Sequence, residues 1–335
     1  MTCKLRLAIM ALFMASSAFA KIWTVNNNAG INADFTSLDA AANSQNVAFG
    51  DTIYIIGSPT SYGGDIFLSK TLHIFGPGYF LFENPETQAN QNTAKVAGLR
   101  FLQGSEGSFV TGVEFTNQVI ITANNITFKR NLFIKTDTNP LITISGSNVI
   151  LIQSYLSGIP TGGSGVINVS VASTNIIIRN NFIENRNQAN LALTSPTGAS
   201  IDVRNNVFHG RIEINNAVFL NNILRSGAFS GQGNDVRFNI GNAVQFGSTN
   251  GNQQNVNMAE VFLNTGSTDG RWQLKDGSPA KGTGLDGADI GMFGGASSYV
   301  LSGIPSLPAI YFLNSPAEGS QSGGLPVHIK IKANN

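Results

Sequence analysis

The chain has 335 residues, only 12% of them charged, with 20 basic against 19 acidic side chains and a formal net charge of +1. That balance gives no basic field for nucleic acid and no general attraction to polyanions. Glycine is abundant (37 residues) and charge is sparse, which favours turn-rich all-β structure over helices.

The first twenty residues read as a secretory leader. Lys4 and Arg6 make a short basic start, Leu7 to Ala15 is an apolar run too short to cross a bilayer, and Ala18-Phe19-Ala20 is a small-x-small cleavage site. Cleavage there leaves 335 − 20 = 315 residues beginning at Lys21. It removes Cys3, the one cysteine, and changes the charge count to 20 − 2 = 18 basic against 19 acidic, a net −1. Without a thiol there is no disulfide, zinc-thiolate site or cysteine nucleophile, so a large core must hold the chain. No second long apolar run follows, and no transmembrane span is expected. The expected location is extracellular, periplasmic or on the outer surface.

A short helix is expected within Asp34–Gln45, and "GPG" at Gly76–Gly78 reads as a turn, since no Lys-Ser/Thr of a phosphate loop follows. Five segments then align: Asn125–Phe133, Asn148–Leu156, Asn175–Ile183, Ser200–Phe208 and Asn216–Leu224. Their common position is Asn131, Ser154, Asn181, Asn206 and Asn222, at steps of 23, 27, 25 and 16 residues. The last step implies a trimmed coil or a slipped register, and Asn234–Asn242 reads as a degraded sixth copy. Within each copy the residues alternate as a strand requires. Ile126, Val149, Ile176, Ile201 and Ala217 face inward, as do Phe128, Leu151, Ile178, Val203 and Phe219. After the asparagine bend, Phe133, Leu156, Ile183, Phe208 and Leu224 belong to a second strand. One copy is too small to be stable alone, and stacking buries its apolar side continuously. Asparagine suits the bend twice over. It tolerates left-handed backbone, and stacked asparagines hydrogen-bond along the axis.

These coils resemble the right-handed parallel β-helix of the pectate-lyase-like superfamily. So do Ala33–Ser58 and Leu72–Leu81 near the start and Leu274–Gly295 near the close, and the resemblance spans Thr24 to Gly295. The expected fold is an all-β, single-stranded right-handed parallel β-helix (a β-solenoid) over residues 21–295, with an N-terminal cap. An extended C-terminal tail of two strands, residues 296–335, is expected to pack along the helix or pair with an edge.

The resemblance implies polysaccharide chemistry on an outward face. Lyases of this kind use an Arg or Lys base and Ca²⁺ or a cation beside a uronate carboxylate; hydrolases use clustered carboxylates. The outward rows are Thr127, Ile150, Ile177, Asp202, Val218 and Lys129, Ile152, Arg179, Arg204, Leu220. One charged patch emerges, Arg179 and Arg204 on neighbouring coils with Asp202, and Glu184 and His209 just past the bend. The leading reading is a surface salt bridge with solvated arginines; the alternative is a sugar-binding or catalytic patch. No carboxylate column suggests a metal. Asp137, Asp286 and Asp289 read as turn residues, so no cofactor is expected, and Ca²⁺ enters only with a lyase. His73, His209 and His328 are scattered, Trp23 and Trp272 suggest cap packing at opposite ends, and the sequons at Asn125 and Asn168 carry no weight. Ile150, Ile152, Ile177, Val218 and Leu220 form an outward aliphatic group. Cover is expected from the loop Ser157–Gly165, the tail or a partner. The leading functional expectation is a non-catalytic secreted or cell-surface protein that offers a polar solenoid surface to a polysaccharide, cell-surface glycan or partner. The alternative is a polysaccharide lyase with Arg179 or Arg204 as base or carboxylate clamp.

Overall fold

The computed structural model describes residues 20–334, so the expected leader, apart from Ala20, lies outside the described residues. Three parallel sheets of ten, eight and eight strands stand side by side, each central coil giving one short strand to each. One coil runs Thr127–Lys129 in the first sheet, Leu132–Ile134 in the second and Ile142–Ile144 in the third. The next coil repeats it in register, pairing Phe128 with Leu151, Phe133 with Leu156 and Ile142 with Ile167. The inward columns expected from the alternation are all buried, with Phe128, Phe133, Ile178, Ile183, Val203, Phe208 and Phe219 wholly inaccessible. The protein is a parallel β-helix with an N-terminal cap and an extended C-terminal tail.

The cap is the helix Leu38–Asn43, whose first turn is closed by the Ser37 hydroxyl accepting from the Ala40 N–H at 3.1 Å. It buries Leu38, Ala41 and Ala42 over the open end of the core. Trp23 packs beside Phe35 there, and its indole N–H donates to Asp51 at 2.7 Å.

Successive coils are joined at the corner between the first and second sheets. The aligned asparagines are fully buried and form a ladder along the axis. Backbone N–H groups donate to the next side chain: Ser154 to Asn181 (2.8 Å), Asn181 to Asn206 (3.0 Å) and Asn206 to Asn222 (2.9 Å). Asn222 then donates to Asn239 and Asn239 to Asn252, so the ladder outlasts the five aligned copies. Each side-chain amide N–H also reaches a strand carbonyl, as Asn206 does to Ile178 at 2.9 Å. The short step of 16 is a trimmed coil, because Asp202 pairs with Val218 and Arg204 with Leu220 in unbroken register.

The residue before each ladder position has a different task. Arg130, Gln153, Asn180, Asn205 and Asn221 all have left-handed backbone, with φ between 53° and 59°. That conformation turns the corner and points each side chain outward. There residues 285–304 return across the coils as a strap. Asn221 accepts from the Leu285 N–H, and Asn205 donates to the Asp289 carbonyl. Asn180 donates to Met292 and Gly294, Gln153 to Ser297 and Ser298, and Arg130 to Ile304. In the coil before, the position is Gly112, where a Cβ would lie 2.6 Å from Pro305. Gly78 of "GPG" lies under the same strap, 2.6 Å from the Ser302 carbonyl by the same construction.

The strap revises several expectations. The last strand of the stacked sheets is Ile240–Gly241, so the solenoid ends well before residue 295. Residues 256–304 instead cover the outer face of the second sheet. They bury Tyr155, Phe182, Val207, Ile223 and Ile240 against Val261, Phe262, Trp272, Ile290 and Met292. Trp272 therefore stacks on Phe182 at 4.6 Å, on a flank and not on an end. Of the outward aliphatic group on the first sheet, Leu220 alone is fully buried; Ile150, Ile152, Ile177 and Val218 stay half-exposed. The tail's two strands, Ala309–Asn314 and His328–Lys332, pair with each other and not with a solenoid edge.

The two corner positions should respond differently to substitution. Asn206→Ala removes five side-chain hydrogen bonds in a dry site, and should cost about 3 kcal/mol in urea unfolding followed by circular dichroism. Asn205→Gly keeps the left-handed turn and loses one strap contact, and should cost about 1 kcal/mol or less.

Candidate functional site

The charged patch expected from the sequence is two separate clusters. On the first sheet Arg179 stands opposite Arg204 in register, as the alignment implies. Asp202 lies between them, 2.6 Å from the Arg179 guanidinium and 2.7 Å from Arg204 Nε. One carboxylate thus bridges two cations that would otherwise repel at strand spacing. The shallow hollow around the arginines is closed on one side by strap residues Leu285 and Gly295–Ser297.

Glu184 and His209 are on the second sheet, opposite each other in register. His209 Nδ1 is 3.0 Å from Glu184 Oε1, and Ser157 donates its hydroxyl to Glu184 Oε2 at 2.6 Å. Burial works to raise the Glu184 pKa. The bonds from His209 and Ser157, and the charges of His209 and Arg186, outweigh it and hold the carboxyl below its ordinary range. A cleft of about 470 Å³ opens beside His209 and Arg225, and its lining shares no residue with the arginine hollow. The buried row Phe182–Val207 and the strap lie between the clusters. Arg179, Asp202 and Arg204 come together, and Glu184 and His209 come together, but the two sets do not meet in one groove. Among the described residues no three His, Cys, Asp or Glu side chains form a metal-binding group.

A different cleft has the character of a binding site. The strap's cover over the second sheet stops at Tyr155, where Phe80 packs edge-on at 5.4 Å. Below that point the outer face of the second sheet is open, and Lys95, Glu114, Leu132 and Ile134 form the floor of a cleft of about 520 Å³. The Thr93 hydroxyl donates to Glu114 at 2.6 Å, and Lys95 lies 3.9 Å from the same carboxylate. One wall is Phe80, Phe82 and Glu83; the other carries Gln91, Asn92 and Thr93. Glu83 accepts from the Thr268 N–H at 2.6 Å, so the strap fixes that wall. Phe82 is 73% exposed at the lip. Apart from Leu132 and the adjoining Ile134, none of these residues belongs to the aligned repeat. The signal available in the sequence was the long, aromatic-bearing stretch Gly78–Thr93 between two strands.

The outer face of the third sheet is open and mostly polar. Its central row is Thr143, Asn168, Thr194, Glu213 and Ser230 in register. No helix among the described residues is long and apolar enough to cross a membrane. No protein-family model, curated protein or solved structure matches the chain.

The Glu184 cluster should be visible in acid. A carboxylate whose folded pKa is depressed contributes stability above its unfolded value, near 4.5, and loses it as pH falls through the folded value. Glu184→Gln should therefore be less stable than the parent protein at neutral pH in urea melts. The difference should disappear well below pH 4.5.

Proposed function

We propose that the protein is a non-catalytic, secreted or cell-surface glycan-binding β-helix. The observation that carries this reading is the cleft at Phe82. It pairs an exposed aromatic face, suited to the C–H face of a sugar ring, with the amides of Gln91 and Asn92, suited to hydroxyl groups. Two carboxylates, Glu83 and Glu114, against one ammonium, Lys95, favour a neutral or amino sugar over a uronate. The open polar row of the third sheet is suited to further contact with an extended chain. The resemblance of the coils to pectate-lyase-like helices keeps a lyase as the alternative. The geometry lends it little, because Asp202 already bridges the two arginines and the second cluster faces elsewhere.

Two measurements test this together. Incubation with pectate, alginate and glycosaminoglycans, with and without Ca²⁺, should give no ultraviolet absorbance from unsaturated product. Affinity electrophoresis against neutral and amino-sugar polymers should show retardation, weakened about tenfold in Phe82→Ala at unchanged melting temperature. Appearance of unsaturated product, or retardation untouched by Phe82→Ala, would overturn the reading.

A further inference from the structure

The chain closes in an antiparallel hairpin, Ala309–Asn314 with His328–Lys332. Ala309 stands opposite Lys332, Phe312 opposite Lys330 and Asn314 opposite His328; Ile310 stands opposite Ile331, and Leu313 opposite Ile329. Opposed residues of an antiparallel pair share a face. The irregularity between Ile310 and Phe312 leaves Tyr311 unpaired, and so shifts Phe312 to the Lys330 side and Leu313 to the Ile329 side. The result is two chemically distinct faces. One holds His328, Lys330 and Lys332, with Lys330 over the Phe312 ring at 5.4 Å. The other holds Ile310, Leu313, Ile329 and Ile331, exposed by 42, 56, 45 and 65%.

The hairpin is tied to the body at its root. Lys332 lies 3.6 Å from Glu86, Ala309 is buried, and the Ala89 N–H donates to the Ile310 carbonyl at 2.7 Å. Lys332 and Ala309 belong to the cationic face, so the aliphatic face is the one left free. An isolated two-stranded hairpin is marginal in water, and an uncovered aliphatic face on it calls for an occupant.

The geometry points to an anionic lipid surface as that occupant, the hairpin lying in the membrane interface with its aliphatic face down. Charge supports this choice. From residue 296 onward Glu318 is the one acidic side chain, against Lys330, Lys332 and His328. An interfacial amphipathic element carries its cations on the polar face, at headgroup level, while the aliphatic face enters the acyl boundary, and Lys330 on the opposite face of this hairpin is so placed. Size supports it too. Four side chains fall far short of the 20–30 residues a side of a standard protein interface, but suffice for shallow, reversible insertion assisted by charge. The inference is independent of the glycan reading, since the hairpin contributes nothing to the Phe82 cleft.

Co-sedimentation of the protein with vesicles tests it. Binding is expected to phosphatidylcholine vesicles containing phosphatidylglycerol, and to fall severalfold when salt is raised to about 1 M, where screening is nearly complete. The double variant Ile329→Ser/Ile331→Ser should lose binding about tenfold or more. Lys330→Gln/Lys332→Gln should bind weakly and without salt dependence. Phe82→Ala should bind as the parent does, and circular dichroism should report an intact solenoid in every variant. No sedimentation with anionic vesicles, or sedimentation unaffected by the isoleucine pair, would overturn the proposal. So would vesicle-free self-association that the isoleucine pair abolishes, because it would give the face to a second copy.

Discussion

The structure depends on the corner where the first sheet turns into the second. Two consecutive residues per coil meet there with opposite duties. The second, at Asn181, Asn206, Asn222 and Asn239, points inward and passes a hydrogen bond to the next coil. The first, at Gln153, Asn180 and Asn205, is left-handed and points outward to grip the strap. A buried amide that lost its partners would cost about 1–3 kcal/mol, so the ladder specifies the stacking register while it stabilises it. The outward column does the same for the returning chain, whose carbonyls would otherwise lie unpaired against the corner.

That arrangement makes the three faces unequal. The second sheet is buried on both sides by Trp272, Phe262 and Met292 as far as Tyr155, and is open beyond it. The first sheet is grazed by the strap and stays half-covered, with Asp202 bridging its arginines. The third stays bare and polar. The Phe82 cleft exists because the cover stops three strands short of the start of the second sheet. Asp269 fixes that stopping point. Its buried carboxylate accepts from the Ser302 N–H at 2.6 Å and from Asn84 at 2.9 Å, locking the strap to the loop that carries Phe80, Phe82 and Glu83.

Much of the solenoid is legible in the sequence because stacking imposes one pattern on every coil. Alternation places Ile126, Ile178 and Phe208 inside, and alignment places Arg179 opposite Arg204. The division of labour within "Asn180-Asn181" was not legible. In other coils the outward position is Arg130 or Gln153, which side-chain chemistry alone does not mark as left-handed. The strap was hidden for a related reason. It has no period of its own, since it follows the corner through its backbone carbonyls and not through repeating side chains. Leu274–Gly295 therefore read as the close of the helix. The cleft was hidden because it is assembled from a loop, two strand ends and the place where cover stops, none of which repeats. The charged patch looked like one site because Arg179 and Glu184 are five residues apart, yet the corner turns them onto different faces.

Native-state hydrogen exchange tests the central claim about the corner most directly. The backbone N–H groups of Ser154, Asn181, Asn206 and Asn222 are bonded only to side chains of the next coil. If the ladder is what holds the coils in register, these amides exchange only through global unfolding, with the same protection as strand amides such as that of Ile177. Exchange of the ladder amides at far lower protection, while the strand amides remain protected, would contradict it.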